Sequence, residues 1–430
     1  MRNILTVALF GLLSCCVHGQ VALPVYALTN VRIIDVHHRT PLEHQTILVR
    51  GRMIDQVFPD GSRPLPDSVT VLDMRGRYVI PGLIDTHVHL ATDPSGVDNR
   101  NATLNVLSRM LYSGITSVRD MAGDARVLAG LSRDAGTGDI LSPDIYYSAL
   151  MAGPDFFTDP RTVVSTRGGV SGQMPYMQAV TDSTRMPLAV AAAKGTGATG
   201  IKLYADLSAK EVGAIVAEAN RQGLKVWGHA WLSPAVPSDL IRAGLGSLSH
   251  APLLVAEVLP RAYDSVPPSW KRAGMSDVFW RDSVAGRMDA IFKLMKKHNV
   301  LLDATMSAYK QWSEQDSAKR WYYELTRRIT AAAYRAGVKI CAGTDDDQEK
   351  FVQYEMRLLV KDAGFSPIDA LIAATQYGAE AIGIESAHGS IAAGKEADLV
   401  VLDRDPLADL ENLDSVYLVI KAGKMVGRHP

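Results

Sequence analysis

Short apolar runs and longer amphipathic stretches alternate through the middle of the chain, after Pro81. The apolar runs are rich in Val, Ile and Leu and end at Gly or polar residues, which predicts β-strands. Stretches such as Ser208–Gln222 and Ser317–Ala336 have the length and composition of helices. Eight such strand–helix units predict an α/β protein with a (β/α)8 TIM barrel. The predicted barrel strands are Leu83–Val88, Ile115–Arg119, Asp144–Ala149, Gly200–Tyr204, Lys225–Gly228, Gly246–Ser249, Val300–Ala304 and Val338–Ala342.

Both ends of the chain have a different pattern, in which strand-like runs are separated by turns alone. Gly51 and Pro59-Asp60-Gly61 are among the turn residues. Periodicity allows the runs of the two ends to pair with each other. The predicted strands are Val25–Ile34, Thr46–Val49, Met53–Val57 and Val69–Leu72 before the barrel, and Leu399–Leu402, Val416–Ile420 and Met425–Val426 after it.

The N-terminus has the features of a secretory signal peptide. Arg2 precedes an apolar run, Ile4–Leu13, which is too short to span a bilayer. Small or tolerated residues follow at the −3 and −1 positions of a cleavage site, so residues 1–19 are predicted to be removed on export to the periplasm or medium. The alternative is a lipoprotein acylated at Cys15 or Cys16.

Composition indicates a globular protein and excludes several function classes. The 430 residues are 47% hydrophobic and carry a net charge of −1 without a basic block, so no nucleic-acid partner is expected. No transmembrane span, P-loop or Gly-x-Ser-x-Gly elbow is found. Cys341 lies in an apolar run and is expected to be a buried free thiol, with no structural disulfide. The oligomeric state is left open.

Two histidines at the end of the first predicted barrel strand indicate a metal site. His87 and His89 close the sequence Pro81-Gly82-Leu83-Ile84-Asp85-Thr86-His87-Val88-His89. Residues i and i+2 of a strand face the same way, so both imidazoles point to one side of the sheet. Two ligands of one metal ion must be placed in this way.

Further candidate ligands recur at the ends of later strands. His229 and His250 close the fifth and sixth strands, Asp345 follows the eighth, and Lys202 lies inside the fourth. The carboxyl ends of barrel strands gather on one face, where barrel enzymes have their catalytic groups. Together with the histidine pair, these residues predict one divalent-metal site.

Three motifs of this chain resemble those of the amidohydrolase superfamily. They are the opening Pro81–His89, the lysine-bearing Gly200–Tyr204, and the closing pair Gly389–Ile391 and Gly394–Asp403. The resemblance extends over residues 27–428 and is to the secreted imidazolonepropionase-like and prolidase-like (Xaa-Pro dipeptidase-like) branch. It implies a barrel at residues 81–385 and a small β-sandwich domain built from residues 20–80 and 386–430.

The resemblance also implies the roles of the candidate ligands. His87, His89 and Asp345 would hold one divalent ion and His229 and His250 the other, with zinc as the expected metal. Lys202 would be carboxylated: CO2 adds to its neutral amine, and the carbamate oxygens bridge the two ions. Asp345 would take a proton from the bridging hydroxide and pass it to the leaving amine.

The expected activity is hydrolysis of an amide C–N bond in a dipeptide or an N-acyl amino acid. Tyr204, beyond the lysine, is placed either to hydrogen-bond a substrate carbonyl or to pack. Arg161 and Arg167 lie in a Gly- and Pro-rich segment, residues 151–186, that is a candidate substrate wall. A second candidate wall, residues 253–287, contains Trp270 and Trp280.

Two other functions stay open: a cyclic amide or lactone hydrolase of the imidazolonepropionase type with one metal ion, and a non-catalytic barrel scaffold. The chain also departs from its relatives at two positions. Trp231 stands where many relatives have a histidine two residues after the one matching His229, and Gln353-Tyr354 precedes Glu355 where some have a histidine. Substrate specificity therefore does not transfer from the relatives.

Overall fold

A computed structural model describes residues 25–93, 97–258, 280–345 and 350–427. The predicted signal peptide at residues 1–19, with Cys15 and Cys16, lies outside these ranges, as does Trp270. Within the described ranges, no helix is long and apolar enough to cross a membrane. Cys341 is a buried free thiol, as predicted.

The strands fall into two sheets, one from the chain ends and one from the middle of the chain. In chain order they are β1 (Val25–Ile34), β2 (Pro41–Arg50), β3 (Met53–Pro59), β4 (Thr70–Asp73), β5 (Tyr78–Pro81), β6 (Leu83–Val88), β7 (Ile115–Asp120), β8 (Asp144–Ala152), β9 (Gln173–Met174), β10 (Met177–Ala179), β11 (Gly200–Leu203), β12 (Lys225–His229), β13 (Ser247–Ser249), β14 (Leu301–Asp303), β15 (Ile340–Cys341), β16 (Leu399–Leu402), β17 (Val416–Lys421) and β18 (Lys424–Val426).

The terminal sheet contains strands from both ends of the chain, as predicted. Its order is β18-β17-β16-β5-β1-β2-β3, and β4 pairs beside β1. The sequence analysis missed β5, which joins the two ends by pairing with β1 and with β16. Its apolar run continues into β6, and only Gly82 separates the two strands. A Cβ atom at Gly82 would lie 2.1 Å from Thr116 Oγ1, so the chain needs glycine where it passes from the terminal sheet to the barrel.

The barrel is formed by the parallel strands β6, β7, β8 and β11 to β15, which confirms the predicted (β/α)8 TIM barrel. Backbone hydrogen bonds from Thr86 to Ala342 and from Asp345 to His87 connect the first strand to the last. β8 is longer than predicted because β10 pairs with its final residues. The segment between β8 and β11 therefore adds a small hairpin, β9–β10, to this edge of the barrel.

Helices follow most barrel strands and pack against their outer surface. α5 begins at a capping box, in which the Ser208 side chain accepts from the Glu211 amide and the Glu211 carboxylate accepts from Ser208. The α-helices are α1 (Arg100–Tyr112), α2 (Ala125–Thr137), α3 (Pro160–Ser165), α4 (Met186–Gly195), α5 (Ala209–Gln222), α6 (Pro237–Ala243), α7 (Gly286–His298), α8 (Met306–Gln315), α9 (Arg320–Arg335), α10 (Val352–Ala363), α11 (Pro367–Ala373) and α12 (Gln376–Ile382).

Candidate metal centre

The structure brings the six predicted metal ligands to the carboxyl ends of the barrel strands. His87 lies within β6 and Lys202 within β11, and His229 is the last residue of β12. His250 directly follows β13, and Asp345 lies four residues beyond β15. These last two residues have positive φ angles, 73° and 50°. Such backbone conformations are uncommon outside glycine and concentrate at functional sites.

The ligand side chains form one cluster around the Asp345 carboxylate. Its Oδ1 atom lies 3.1 Å from His89 Nε2 and 3.4 Å from His87 Nε2, and its Oδ2 atom lies 3.7 Å from His250 Nδ1. The ring centroids of His229 and His250 are 4.5 Å apart. Donor atoms of His87, His89 and Asp345 all lie within 4.8 Å of one another, close enough to hold one ion.

Hydrogen bonds on the far side of two imidazoles determine which nitrogen carries the proton. His89 Nδ1 lies 3.2 Å from the Ala122 carbonyl oxygen, which can only accept, so in the neutral ring Nδ1 carries the proton and the Nε2 lone pair faces Asp345. His87 Nδ1 lies 2.6 Å from the Asp303 carboxylate, and His87 Nε2 is buried without a hydrogen-bond partner. Two lone pairs and a carboxylate oxygen therefore converge on one point. This arrangement fits a divalent cation.

In the second pair of histidines, His250 is buried and His229 is partly exposed, and both rings are uncharged. Burial lowers the pKa of His250 to about 3 and lowers the pKa of His229 well below its ordinary value. His250 Nδ1 also lies 3.0 Å from the Thr305 hydroxyl, which orients the ring. Neutral imidazole is the form that binds metal, so both residues are ready to act as ligands.

Lys202 is fully buried and has the properties required for carboxylation. Its ammonium donates one hydrogen bond, to Ser249 Oγ at 3.0 Å, and no carboxylate of the described residues forms an ion pair with it. Burial lowers the pKa of Lys202 to about 7. Both observations favour a neutral amine, which is the form that reacts with CO2. The residue fits the bridging role that the sequence predicts.

Asp303 belongs to the site and was missed by the sequence analysis. Its Oδ2 atom accepts from His87 Nδ1 at 2.6 Å and from Ser249 Oγ at 2.9 Å, and Ser249 in turn accepts from Lys202. Asp303 thus connects two predicted ligands. A Cβ atom at Gly343 would lie 2.4 Å from Asp303 Oδ1, so glycine is needed beside it. The strand-end rule could have found this residue, because it closes β14.

A cavity of about 700 Å³ opens onto the metal ligands. Of the predicted substrate contacts, Tyr204 and Arg161 line it, whereas Arg167 pairs with Asp98 and does not. In the second predicted wall, Leu253 lines the cavity, while Trp280 packs against the barrel core. The sequence analysis did not single out four aromatic residues that also line the cavity: Phe156, Tyr309, Trp312 and Tyr322.

Comparisons with protein families and with curated proteins both give matches that span most of the chain. Residues 78–426 match the Amidohydrolase family. The ochratoxinase of Aspergillus niger is 26% identical over 429 residues, which cover 90% of this chain and 83% of that protein. The crystal structure of A. niger ochratoxinase superimposes with a TM-score of 0.73. The superposition covers 94% of this chain and 96% of the ochratoxinase chain.

Two other solved structures share the fold. A Xaa-Pro dipeptidase with methionine bound in its active site has a TM-score of 0.75 at 21% identity, and a prolidase complexed with N-methylphosphonate-L-proline has a TM-score of 0.73 at 24% identity. Each superposition covers 94% of this chain and 100% of the chain of the solved structure. Barrel and terminal sheet together are therefore the shared architecture.

Proposed function

Because this chain belongs to the amidohydrolase family, it is a hydrolase of C–N bonds, and we propose that it cleaves the amide bond of a dipeptide or an N-acyl amino acid with two bound divalent metal ions. The observation that carries the proposal is the convergence of the His87 and His89 lone pairs on Asp345, beside the buried Lys202. The prolidase and dipeptidase among the structural neighbours support a dipeptide-like substrate.

The proposed ions are zinc. His87, His89 and Asp345 would hold one ion, His229 and His250 the other, and a carboxylated Lys202 would bridge them. When bound, the ions lower the pKa of water and polarise the scissile carbonyl group. The burial of Lys202 among the histidines supports two ions over the single-ion alternative.

Asp345 is the proposed proton carrier. In hydrolysis, the oxygen of water bonds to the acyl carbon while the C–N bond breaks, and a proton from water must reach the leaving nitrogen. Burial alone would raise the pKa of Asp345, but the surrounding His87, His89 and His250 hold it well below its usual range. The carboxylate is therefore ionised and can accept a proton at Oδ1 or Oδ2.

Tyr204 is the proposed hydrogen-bond donor to the substrate. Burial raises the pKa of its hydroxyl group, which stays protonated and able to donate at neutral pH. Its ring lies 3.9 Å from the His229 ring, centroid to centroid, so the hydroxyl belongs to the same side of the cavity as the second ion. A substrate carbonyl oxygen held beside His229 would lie on the same side of the cavity as Tyr204.

Substrate screening of metal-loaded protein tests the proposed function. The mature protein would be stripped with a chelator, reloaded with zinc, and assayed against Xaa-Pro dipeptides, other dipeptides and N-acyl amino acids. We expect turnover that depends on metal, with about two ions per chain by elemental analysis. One ion per chain with turnover of cyclic amides or lactones alone would contradict the proposal and favour the imidazolonepropionase type.

Substitution of Lys202 tests the bridge. Lys202→Ala should lose activity and part of its metal, and short carboxylic acids should restore some activity because their oxygens can replace the carbamate. Lys225 is an exposed lysine at the opposite end of the neighbouring strand, and Lys225→Ala should retain both activity and metal. A Lys202→Ala protein with full metal content and activity would remove the bridging role.

Export is a separate proposal. Intact-mass analysis of the secreted protein should show a chain that begins after residue 19. A chain that begins with a lipid-modified Cys15 or Cys16 would establish the lipoprotein instead.

A further inference from the structure

The loop that follows β7 packs against the loop that follows β6 and carries His89. The β6 loop is residues 89–92, and the β7 loop is residues 121–124. A backbone hydrogen bond of 2.8 Å joins them, from the Asp124 amide to the Ala91 carbonyl oxygen. The surroundings of this metal ligand are therefore determined by the neighbouring barrel strand as well as by its own.

The β7 loop orients the His89 ring through the Ala122 carbonyl group. His89 Nδ1 lies 3.2 Å from this oxygen, and the Thr92 hydroxyl group donates to the same oxygen at 2.9 Å. An imidazole ring can rotate about its side-chain bonds, so an acceptor in a fixed position is needed to keep Nε2 directed at Asp345. The direction of the ring thus depends on where the Ala122 carbonyl group is held.

Ala122 has a backbone conformation that glycine adopts more readily than alanine. Its φ angle is 107°, a value at which a Cβ atom meets steric resistance. The next residue, Gly123, has no room for a side chain, because a Cβ atom there would lie 2.5 Å from the Ala91 carbonyl oxygen. A strained conformation of this kind persists only where surrounding contacts hold it.

Asp120 provides two of these contacts. Its Oδ1 atom accepts from the Ala122 amide at 3.1 Å, and its Oδ2 atom accepts from the Leu90 amide at 2.6 Å. Leu90 directly follows His89, so one side chain holds the backbone on both sides of the contact between His89 and Ala122. Asp120 is the last residue of β7 and is fully buried, which keeps water from competing for these two amides.

We propose that Asp120 is a positioning residue for the metal ligand His89. By holding the Leu90 and Ala122 amides, it fixes the carbonyl group that directs the His89 ring. It thereby sets the affinity of the protein for the first of the two proposed ions. The inference rests on the proposed function in one respect, that a divalent ion binds at these ligands, and is independent of which amide is cleaved.

Zinc affinity tests the positioning role, measured on metal-free protein by competition with a chromophoric chelator. Asp120→Asn replaces one acceptor oxygen with an NH2 group, so the Leu90 or the Ala122 amide loses its acceptor and the His89 ring is released. We expect the affinity to fall by about 10–100-fold, the typical effect of losing a partner behind a metal ligand. The control is Asp124→Asn, at a buried aspartate of the same loop whose side chain caps α2, and it should bind zinc as wild type does.

A double-mutant cycle separates this role from a general loss of structure. In a His89→Ala background, Asp120→Asn should have little further effect on zinc affinity, because its action passes through the missing ring. In a His229→Ala background the full effect should remain, since His229 is a proposed ligand of the other ion. Equal effects of Asp120→Asn in the two backgrounds would overturn the proposal.

A second variant covers the case in which Asp120→Asn does not fold. Ala122→Gly removes the strain that Asp120 restrains, and this relief offsets the greater freedom of glycine in the unfolded chain. The double variant Asp120→Asn, Ala122→Gly should therefore fold and bind zinc about tenfold or more weakly than Ala122→Gly alone. Equal zinc affinity of these two proteins would also overturn the proposal.

The outcomes separate this inference from the function on which it rests. If wild-type protein binds no zinc, the metal centre of the proposed function is wrong. If wild type binds zinc and hydrolyses amides while Asp120→Asn has unchanged zinc affinity, the proposed function stands and only the positioning role of Asp120 is refuted.

Discussion

At the scale of single residues, the site depends on carboxylates that receive or orient protons. Asp345 faces the lone pairs of His87 and His89, while Asp303 lies behind His87 and accepts from its other nitrogen. We therefore propose different roles for the two aspartates: Asp345 acts on the substrate, and Asp303 orients a metal ligand. Replacing each of them separates proton transfer from metal binding.

Asp345→Asn should keep much of its metal but lose activity. The asparagine oxygen can still face the cation, whereas the amide cannot accept a proton. General acid–base assistance is typically worth ~10²–10⁴-fold, so kcat should fall by that order. Metal content and kcat would be measured together. Asp346→Asn and Asp347→Asn, the next two positions of the sequence, are controls that should stay active, and full activity of Asp345→Asn would exclude it from proton transfer.

Asp303→Asn should weaken metal binding while the protein still folds. An amide can present N–H instead of oxygen to His87 Nδ1 or to Ser249, which disturbs the orientation of His87 and of Lys202. Loss of such a partner of a metal ligand typically costs about 10–100-fold in affinity. Competition with a chelator would measure this. Asp124→Asn, a buried cap of α2 that contacts Arg126, is the control, and unchanged affinity in Asp303→Asn would contradict the orienting role.

At the scale of elements, α8 carries Tyr309 and Trp312, which line the cavity, and is held by a residue from another helix. Glu355 of α10 is fully buried and accepts hydrogen bonds from the Met306 amide, the Ser307 amide and the Ser307 hydroxyl at 2.7 to 2.9 Å. Burial raises the pKa of Glu355 to about 8. The oxygens of its carboxyl group satisfy amides at the start of the helix that have no partner within it. Glu355 thereby positions Tyr309 and Trp312.

Glu355→Gln should loosen α8 and impair substrate binding. The side-chain NH2 group cannot accept, so at least one buried donor loses its partner, at a cost of about 1–3 kcal/mol. Thermal unfolding should detect the lower stability, and KM should rise more than kcat falls, because the affected helix lines the cavity. Glu314→Gln, at the exposed end of the same helix, should change neither quantity. An unchanged KM would show that the start of α8 is held by other contacts.

At the scale of the whole molecule, a buried ion network joins the terminal sheet to the barrel. Lys421 of β17 lies 2.7 Å from Asp144, the first residue of β8, and 3.1 Å from Asp398, which precedes β16. The Ala422 amide also donates to Asp398. Burial alone would raise the pKa of Asp398, but the Lys421 charge and these hydrogen bonds hold it below its ordinary value.

Lys421→Met should destabilise the protein strongly at neutral pH. It leaves two largely buried carboxylates without their cation, and removal of one partner of a buried ion pair typically costs about 3–5 kcal/mol. Because the pKa of Asp398 is lowered on folding, its contribution is complete above about pH 4 and is lost as the pH falls further. Unfolding measured from pH 7 to pH 3 should show that wild type loses more stability on acidification than Lys421→Met. Lys424→Met, at an exposed position nearby, is the control. Parallel pH profiles of stability for wild type and Lys421→Met would contradict the prediction.

The sequence by itself determined the architecture and predicted the residues that meet at the candidate metal centre. Strand periodicity and the capping box at Ser208 are local signals, and they located the barrel strands to within a few residues. His87 and His89 were identifiable because the two-residue period of a strand places both on one face. For His229, His250 and Asp345, the general rule that barrel strands end on one face was enough.

Only the tertiary structure decided what surrounds those ligands. Asp303 and His87 are in contact although 216 residues separate them in the sequence. Glu355 and the first residue of α8 are 49 residues apart. No local sequence pattern connects the members of either pair. The aromatic residues that line the cavity likewise come from loops and helices whose order along the chain does not reveal their contacts. Arg167 lies away from the cavity, although Arg161 in the same segment lines it. Local periodicity fixes which way a side chain faces on its own element. Its partners depend on how distant elements pack, and that packing is decided only when the whole chain has folded.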